Sequence, residues 1–216
     1  MPLFNLYHKG DAIIAVWHIL EKETELLGQL YSPSFHQTVL HNINKPKRRL
    51  EYLSTRLLLQ KILPGSDLRI RYMDSGKPYL EDPSAYISIS HTNNYAAVIY
   101  HPQSEVGIDI ESYSEKPSRL APRYMSNMEI NQIQDQDKYI EGSLLAWSAK
   151  ESMFKIMPDD SVDFRDHLIL DLSTIKKEGV IKSQELRSVD KLHYNINYYI
   201  NEDFVLTYII YDDSNE

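Results

Sequence analysis

The chain has no cysteine and only two tryptophans and seven glycines in 216 residues. Without a thiol it can form no disulfide, bind no metal through thiolate and use no cysteine nucleophile, which fits a reducing compartment. Zinc would have to rely on histidine and carboxylate. Long apolar runs are missing too: Ala12 to Val16 and Phe204 to Ile210 fall far short of the ~20 residues a membrane helix needs. Met1-Pro2-Leu3-Phe4-Asn5 lacks the charged and apolar regions of a secretory signal, so a cytoplasmic protein is expected, with no membrane partner. Positive charge is also scarce. The net charge of −8 argues against a general nucleic-acid binder, whose affinity rests mostly on neutralising phosphates. An acidic partner would have to meet a local basic patch.

What is present is the composition of a folded domain. At 42% hydrophobic and 25% charged residues, disorder of the whole chain is excluded, and the length suits one large domain or two closely packed small ones. Ala12 to Trp17 is a compact apolar run with β-branched residues and reads as a buried strand. A polar segment with Glu21, Glu23 and Glu25 predicts a short helix. From Pro46 the leucines at 50, 53 and 57 recur at helical spacing until Pro64-Gly65. Arg49 and Arg56 lie on nearly one face of that helix, and Lys45, Lys47 and Arg48 add positive charge at its start. The macrodipole opposes cations there, so the cluster does not serve helix stability; a solvated face and an anion site both remain open.

Leu68 to Tyr72 predicts a strand, followed by a turn at Asp74-Ser75-Gly76-Lys77-Pro78. Tyr86 to Ser90 and Tyr95 to Tyr100 predict two more, separated by His91-Thr92-Asn93-Asn94. His101 to Ser104 marks a boundary between two halves, 1–103 and 104–216. In the second half Val106 to Glu111 reads as a strand and Ser126-Asn127-Met128-Glu129 as a capping box opening a helix. Lys138 to Met157 predicts a long helix ending near Pro158-Asp159-Asp160. Leu168 to Leu172, Leu192 to Ile200 and Phe204 to Tyr211 predict strands, the last two joined through Asn201-Glu202-Asp203. Adjacent strands are often too close for helical crossovers, which favours an α+β fold with largely antiparallel sheets.

The chemistry concentrates in Trp147-Ser148-Ala149-Lys150-Glu151-Ser152-Met153-Phe154-Lys155. On a helix Glu151 and Lys155 share a face while Lys150 sits about 100° to the side. A surface ion pair worth roughly 0.2–0.5 kcal/mol is the plain reading of such a pattern. Upstream, Asp109 and Glu111 point to the same side of a strand with Cα atoms about 6.5–7 Å apart. If Glu151 joins them, each carboxylate pair at ~4 Å repels by roughly 4 kcal/mol at an effective dielectric near 20. A divalent cation resolves that repulsion, and oxygen-only ligands favour Mg²⁺. An exposed acidic strand face is the alternative. Lys77, His91, Lys150, Lys155, Arg49 and Arg56 are each able to neutralise phosphate, which suits a multiply phosphorylated substrate.

Taken in order, Gly76-Lys77-Pro78, Ile87-Ser88-Ile89-Ser90-His91, Gly107-Ile108-Asp109-Ile110-Glu111 and Trp147 to Lys155 resemble the surfactin-type 4′-phosphopantetheinyl transferases. Arg48-Arg49 to Arg56-Leu57-Leu58 and Arg123-Tyr124-Met125-Ser126-Asn127-Met128-Glu129 add to the likeness, which spans roughly residues 45 to 156. The resemblance implies an enzyme of holo-[acyl-carrier-protein] synthase type. Such an enzyme moves the phosphopantetheine arm of coenzyme A to a serine of an acyl or peptidyl carrier protein and releases adenosine 3′,5′-bisphosphate. It implies Asp109, Glu111 and Glu151 as ligands of Mg²⁺ with the pyrophosphate, and Lys77, Ser90, His91, Lys150 and Lys155 as contacts to coenzyme A. Arg49 and Arg56 would approach the adenosine end and the 3′-phosphate. Glu151 is the expected base and Lys155 stabilises developing charge. The family's members are monomers of two similar α+β halves related by a pseudo-two-fold, with the active-site cleft between them. Two other functions stay open: a Mg²⁺-dependent nuclease or phosphodiesterase, and a non-catalytic coenzyme A-binding protein.

Overall fold

The computed structural model describes residues 3–65, 69–81, 85–157 and 161–211. They fall into two units, Met1–Gln103 and Ser104–Glu216. Among the described residues no helix is long and apolar enough to cross a membrane.

In chain order the first unit holds β1 (Leu3–Lys9), β2 (Ala12–His18), α1 (Glu23–Leu27), α2 (Pro33–Leu40) and α3 (Pro46–Ile62). The strands β3 (Ile70–Tyr72), β4 (Pro78–Leu80), β5 (Tyr86–Thr92) and β6 (Tyr95–His101) follow. The longer strands form an antiparallel sheet in the order β1-β2-β6-β5, while β3 and β4 pair as a small hairpin. Pro46 opens α3, where its missing N–H costs nothing. Leu53, Leu57, Leu58, Leu59 and Ile62 of that helix are buried, in one cluster with Ala15, Trp17, Ala96 and Val98 of the sheet. Each fully buried leucine contributes about 1.5–3 kcal/mol, so packing holds this helix more than propensity does.

The second unit runs β7 (Val106–Ser112), α4 (Lys116–Tyr124), α5 (Asn127–Gln134), α6 (Tyr139–Phe154) and α7 (Phe164–His167). It ends with β8 (Leu168–Leu170), β9 (Glu178–Glu185), β10 (His193–Ile200) and β11 (Phe204–Ile210). Its antiparallel sheet has the order β7-β11-β10-β9-β8, and α6 packs across β7 and β11. Two features fix the register of α6 on the sheet. Gly107 brings the β7 backbone so close that a Cβ there would sit 2.2 Å from the Ser152 carbonyl oxygen. Buried Thr207, the cross-strand partner of Asp109, meets the Ser148 hydroxyl at 2.9 Å and the Ser152 hydroxyl at 2.6 Å. These contacts set β7 opposite the last turns of α6.

The α+β class with antiparallel sheets is as the pattern predicts. The capping box also forms: Glu129 N–H donates to Ser126 Oγ at 3.3 Å, and Ser126 N–H to Glu129 Oε2 at 2.6 Å. The expected helix stop at Pro158-Asp159-Asp160 and the expected strand start at Leu68 lie outside the described residues, as do Met1 and Pro2. Six elements were not foreseen, namely β1, α2, β4, α4, α7 and β9.

Candidate active site

In the second unit, the end of α6 faces the middle of β7. Lys155, the C-cap of α6, donates to the Ile108 carbonyl at 2.7 Å and to Asp109 Oδ1 at 3.0 Å. One turn earlier stands Glu151. Its carboxyl is pushed up to about 7, first by burial, then by the negative charge of Asp109 and, less, of Glu111, with Lys155 opposing. Glu111 accepts the Trp147 indole N–H at 3.1 Å. The structure therefore brings Asp109, Glu111, Glu151 and Lys155 into one electrostatic group. Backbone spacing places the first two on one strand face; the Gly107 and Thr207 contacts bring Glu151 to them.

The raised Glu151 has a consequence for stability. Its folded-state value near 7 lies above the ~4.3 of an unfolded glutamate, so the native state binds this proton more tightly. The stabilisation is complete below about pH 4.3 and is lost as pH rises through about 7. Metal-free protein should therefore melt at progressively lower temperature between pH 5.5 and roughly 8. The Glu151→Gln variant should lack that slope, and a slope identical in both proteins would show that Glu151 is not the group responsible.

Lys150 is not at this group. It is fully buried, and its ammonium donates to the carbonyls of Tyr124 at 2.8 Å and Phe164 at 2.9 Å. It also pairs with Glu129, 2.9 Å from Oε1 and 3.0 Å from Oε2. Glu129 is fully buried too and accepts the Leu170 N–H at 2.9 Å. Burial pushes the Lys150 pKa down, and Glu129 opposes that shift. The three ammonium protons are thus taken up inside the unit, tying α4, α5, α6 and α7 together. The resemblance implies Lys150 as a contact to coenzyme A; in the structure its ammonium is held by these internal partners.

The first unit has its own cavity, about 520 Å³, whose lining among the described residues includes Lys45, Arg48, Glu51, Tyr52, Arg56 and His91. Arg56 stacks on the Tyr52 ring at 3.9 Å and donates to the Tyr72 hydroxyl at 2.9 Å. Arg48 donates to His91 Nε2 at 2.8 Å. Arginine only donates, so the His91 ring proton sits on Nδ1, which faces Glu51 Oε1 at 3.6 Å. Glu51 is buried and also lies 3.3 Å from Arg48. It orients Arg48 and the His91 ring and offsets part of the Arg48 charge. Arg49 does not line this cavity: it is bonded to Glu23 of α1 at 2.7 Å. Its neighbour Arg48 takes the position. Lys77 and Ser90 are not in the lining; Gly76 and Pro78, which flank Lys77, are. Glu51 and Tyr52 had a signal in the sequence, standing three residues after Arg48 and four before Arg56, where a helix makes neighbours.

Among the described residues no group of three or more histidine, aspartate or glutamate side chains is arranged to hold one metal ion. Asp109 is turned to Lys155, and Glu111 to Trp147. The donor set nonetheless fits a hard divalent cation in kind. All donors are carboxylate oxygens; burial first, and then the charge on Asp109 and Glu111, raise the Glu151 carboxyl to about 7, and a cation would relieve the repulsion among the three.

Residues 105–209, an antiparallel α+β unit with paired strand carboxylates beside a helical Glu and Lys, match the family model of the 4′-phosphopantetheinyl transferase superfamily. The match covers Asp109, Glu111, Glu151 and Lys155. A Synechocystis sp. protein bearing the name putative 4′-phosphopantetheinyl transferase is 27% identical over 124 residues, which are 51% of this chain and 50% of that protein. The chain thus spans about half the length of the curated relative it matches.

Proposed function

We propose that the protein transfers the 4′-phosphopantetheinyl arm of coenzyme A to a serine of an acyl or peptidyl carrier protein. The observation that carries this reading is the coupling of Asp109, Glu111 and Glu151 beside Lys155, in the segment that matches the superfamily. The carrier serine oxygen would attack the β-phosphorus in line, breaking its bond to the bridging oxygen. Adenosine 3′,5′-bisphosphate then leaves with that oxygen. Asp109, Glu111 and Glu151 would hold Mg²⁺. When bound, the ion offsets their charge and that of the pyrophosphate. Lys155 turns its ammonium from Asp109 toward the leaving phosphate. Glu151, held near neutrality by burial, is far closer to the pKa of a useful base than a free glutamate at ~4.3. In the first unit, Arg48 and Arg56 would supply cations for a phosphate beside the neutral His91 ring, and the resemblance adds Arg49, Lys77 and Ser90 as further contacts.

The test is chromatographic detection of adenosine 3′,5′-bisphosphate from coenzyme A. Release should require both Mg²⁺ and an apo carrier protein. Release without a carrier, or none with any of a fatty-acid, polyketide and peptide carrier panel, contradicts the proposal. Calorimetry on Asp109→Ala gives a separate check. Its Mg²⁺-dependent binding of coenzyme A should be lost, and unchanged binding would remove Asp109 from the metal ligands.

A further inference from the structure

Trp147 sits beside the carboxylates with its one polar atom committed to them. The indole has a single donor and no acceptor, so its bond to Glu111 Oε1 has only one possible sense. Its ring is fixed on two sides. Tyr124 meets it edge-on with centroids 5.1 Å apart, and Phe164 lies at 5.7 Å. Both flanking residues are themselves anchored, because Lys150 takes their two backbone carbonyls and the Tyr124 hydroxyl donates to Ser143 O at 2.8 Å. Phe164 also packs against Phe154 at 5.7 Å. The rigid cage reaches from a buried ion pair to one carboxylate oxygen.

A glutamate on a strand swings about several side-chain torsions, and holding one oxygen restricts the plane in which the carboxylate can meet a ligand. We propose that Trp147 is a positioning residue that orients the Glu111 carboxylate for Mg²⁺. This rests on the metal site of the proposed function. A donor to a metal-binding carboxylate typically changes metal affinity about 10–100-fold when removed. The tyrosine and phenylalanine walls and Lys150 then serve the site through the indole rather than by touching substrate.

The test is a cycle of four proteins: wild type, Trp147→Phe, Glu111→Gln and the double variant. Mg²⁺ affinity is measured for each by calorimetry and by Mg²⁺-dependent thermal shift, without coenzyme A. Phenylalanine keeps a ring between Tyr124 and Phe164, though a smaller one, and removes the donor. Trp147→Phe should bind Mg²⁺ about tenfold more weakly. In the Glu111→Gln background the same change should have no further effect, because the indole acts through Glu111. Wild-type affinity in Trp147→Phe, or a loss that adds in full to that of Glu111→Gln, overturns the proposal. If Trp147→Phe unfolds, fluorescence of Trp17→Phe decides, since Trp147 is then the sole indole. Saturating Mg²⁺ should shift its emission, and an unchanged spectrum overturns the proposal. A wild-type protein that shows no Mg²⁺ dependence in either measurement instead removes the metal reading, and the role of Trp147 with it.

Discussion

Replacing Lys150 with methionine should destabilise the protein by about 3–5 kcal/mol, the usual cost of removing one partner of a buried ion pair. The side chain that remains, Glu129, is fully buried, and of its donors only the Ser126 and Leu170 N–H groups would be left. The carbonyls of Tyr124 and Phe164 would lose their donor as well. Against a typical total stability of ~5–15 kcal/mol, that loss is large enough to unfold part of the population. Adding Glu129→Gln should recover a substantial share of the loss. The amide oxygen still accepts the capping-box N–H, and no charge stays buried. Denaturant unfolding of the three proteins checks both statements. A Lys150→Met protein within about 1 kcal/mol of wild type would show that the ammonium is not structural, and would return Lys150 to the set of phosphate contacts.

Glu151→Gln should give the opposite pairing of effects. Activity should fall about a thousandfold or more, the middle of the range for removing a general base, with a ligand lost besides. Stability at pH 8 in the absence of Mg²⁺ should not fall and should rise. The wild-type carboxylate is charged there against burial, Asp109 and Glu111, whereas glutamine keeps the shape without the charge. At about pH 4 or below, where Glu151 is protonated in the folded protein and mostly so in the unfolded one, the two proteins should have nearly equal stability. Added Mg²⁺ should stabilise the wild type more than the variant. Calorimetric melting at both pH values with and without Mg²⁺ measures all of this. A variant that is less stable at pH 8 and still active would contradict the placement of Glu151.

The residues at the candidate site were largely legible because they stand on regular elements whose geometry is known in advance. A strand puts Asp109 and Glu111 on one side, and a helix puts Glu151 and Lys155 on one face. The same helical geometry set Lys150 about 100° away, which already separated it from that face. What no spacing reveals is where such a residue goes. Lys150 finds Glu129 across 21 residues of sequence. Arg48 and Arg49 are adjacent in sequence, yet one lines the cavity while the other meets Glu23, a distinction set by packing of α1 on α3.

The missed elements also have physical reasons. In β9 the inward positions are Ile181, Ser183 and Glu185, so a strand that is half buried shows little apolar alternation. Ser183 is satisfied by donating to the Tyr194 carbonyl at 3.1 Å, and Glu185 accepts the Ser188 N–H at 2.8 Å. Helix α4 contains Pro122 in its interior, which argues against a helix in isolation, whereas Pro117 in its first turn is helix-compatible. Its inward face is held by tertiary bonds such as that from the Tyr124 hydroxyl to the Ser143 carbonyl. Strand β4 is only Pro78–Leu80, and its hairpin with β3 closes around the Gly76 turn, where φ is +84°, so the turn signal dominates the segment. The two serines of the Trp147 to Lys155 stretch read as ordinary helix positions, while their function is to bind Thr207 and set Asp109 opposite Glu151.

The central claim is that this chain carries out phosphopantetheinyl transfer through Asp109, Glu111, Glu151 and Lys155. It is tested most directly by intact-mass measurement of apo carrier proteins incubated with the protein, coenzyme A and Mg²⁺. The account predicts that at least one carrier gains a single phosphopantetheinyl group on its serine, and that Glu151→Gln, folded and stable, leaves every carrier unmodified over the same period. Carriers that stay unmodified with the wild type, or are modified equally by Glu151→Gln, would contradict it.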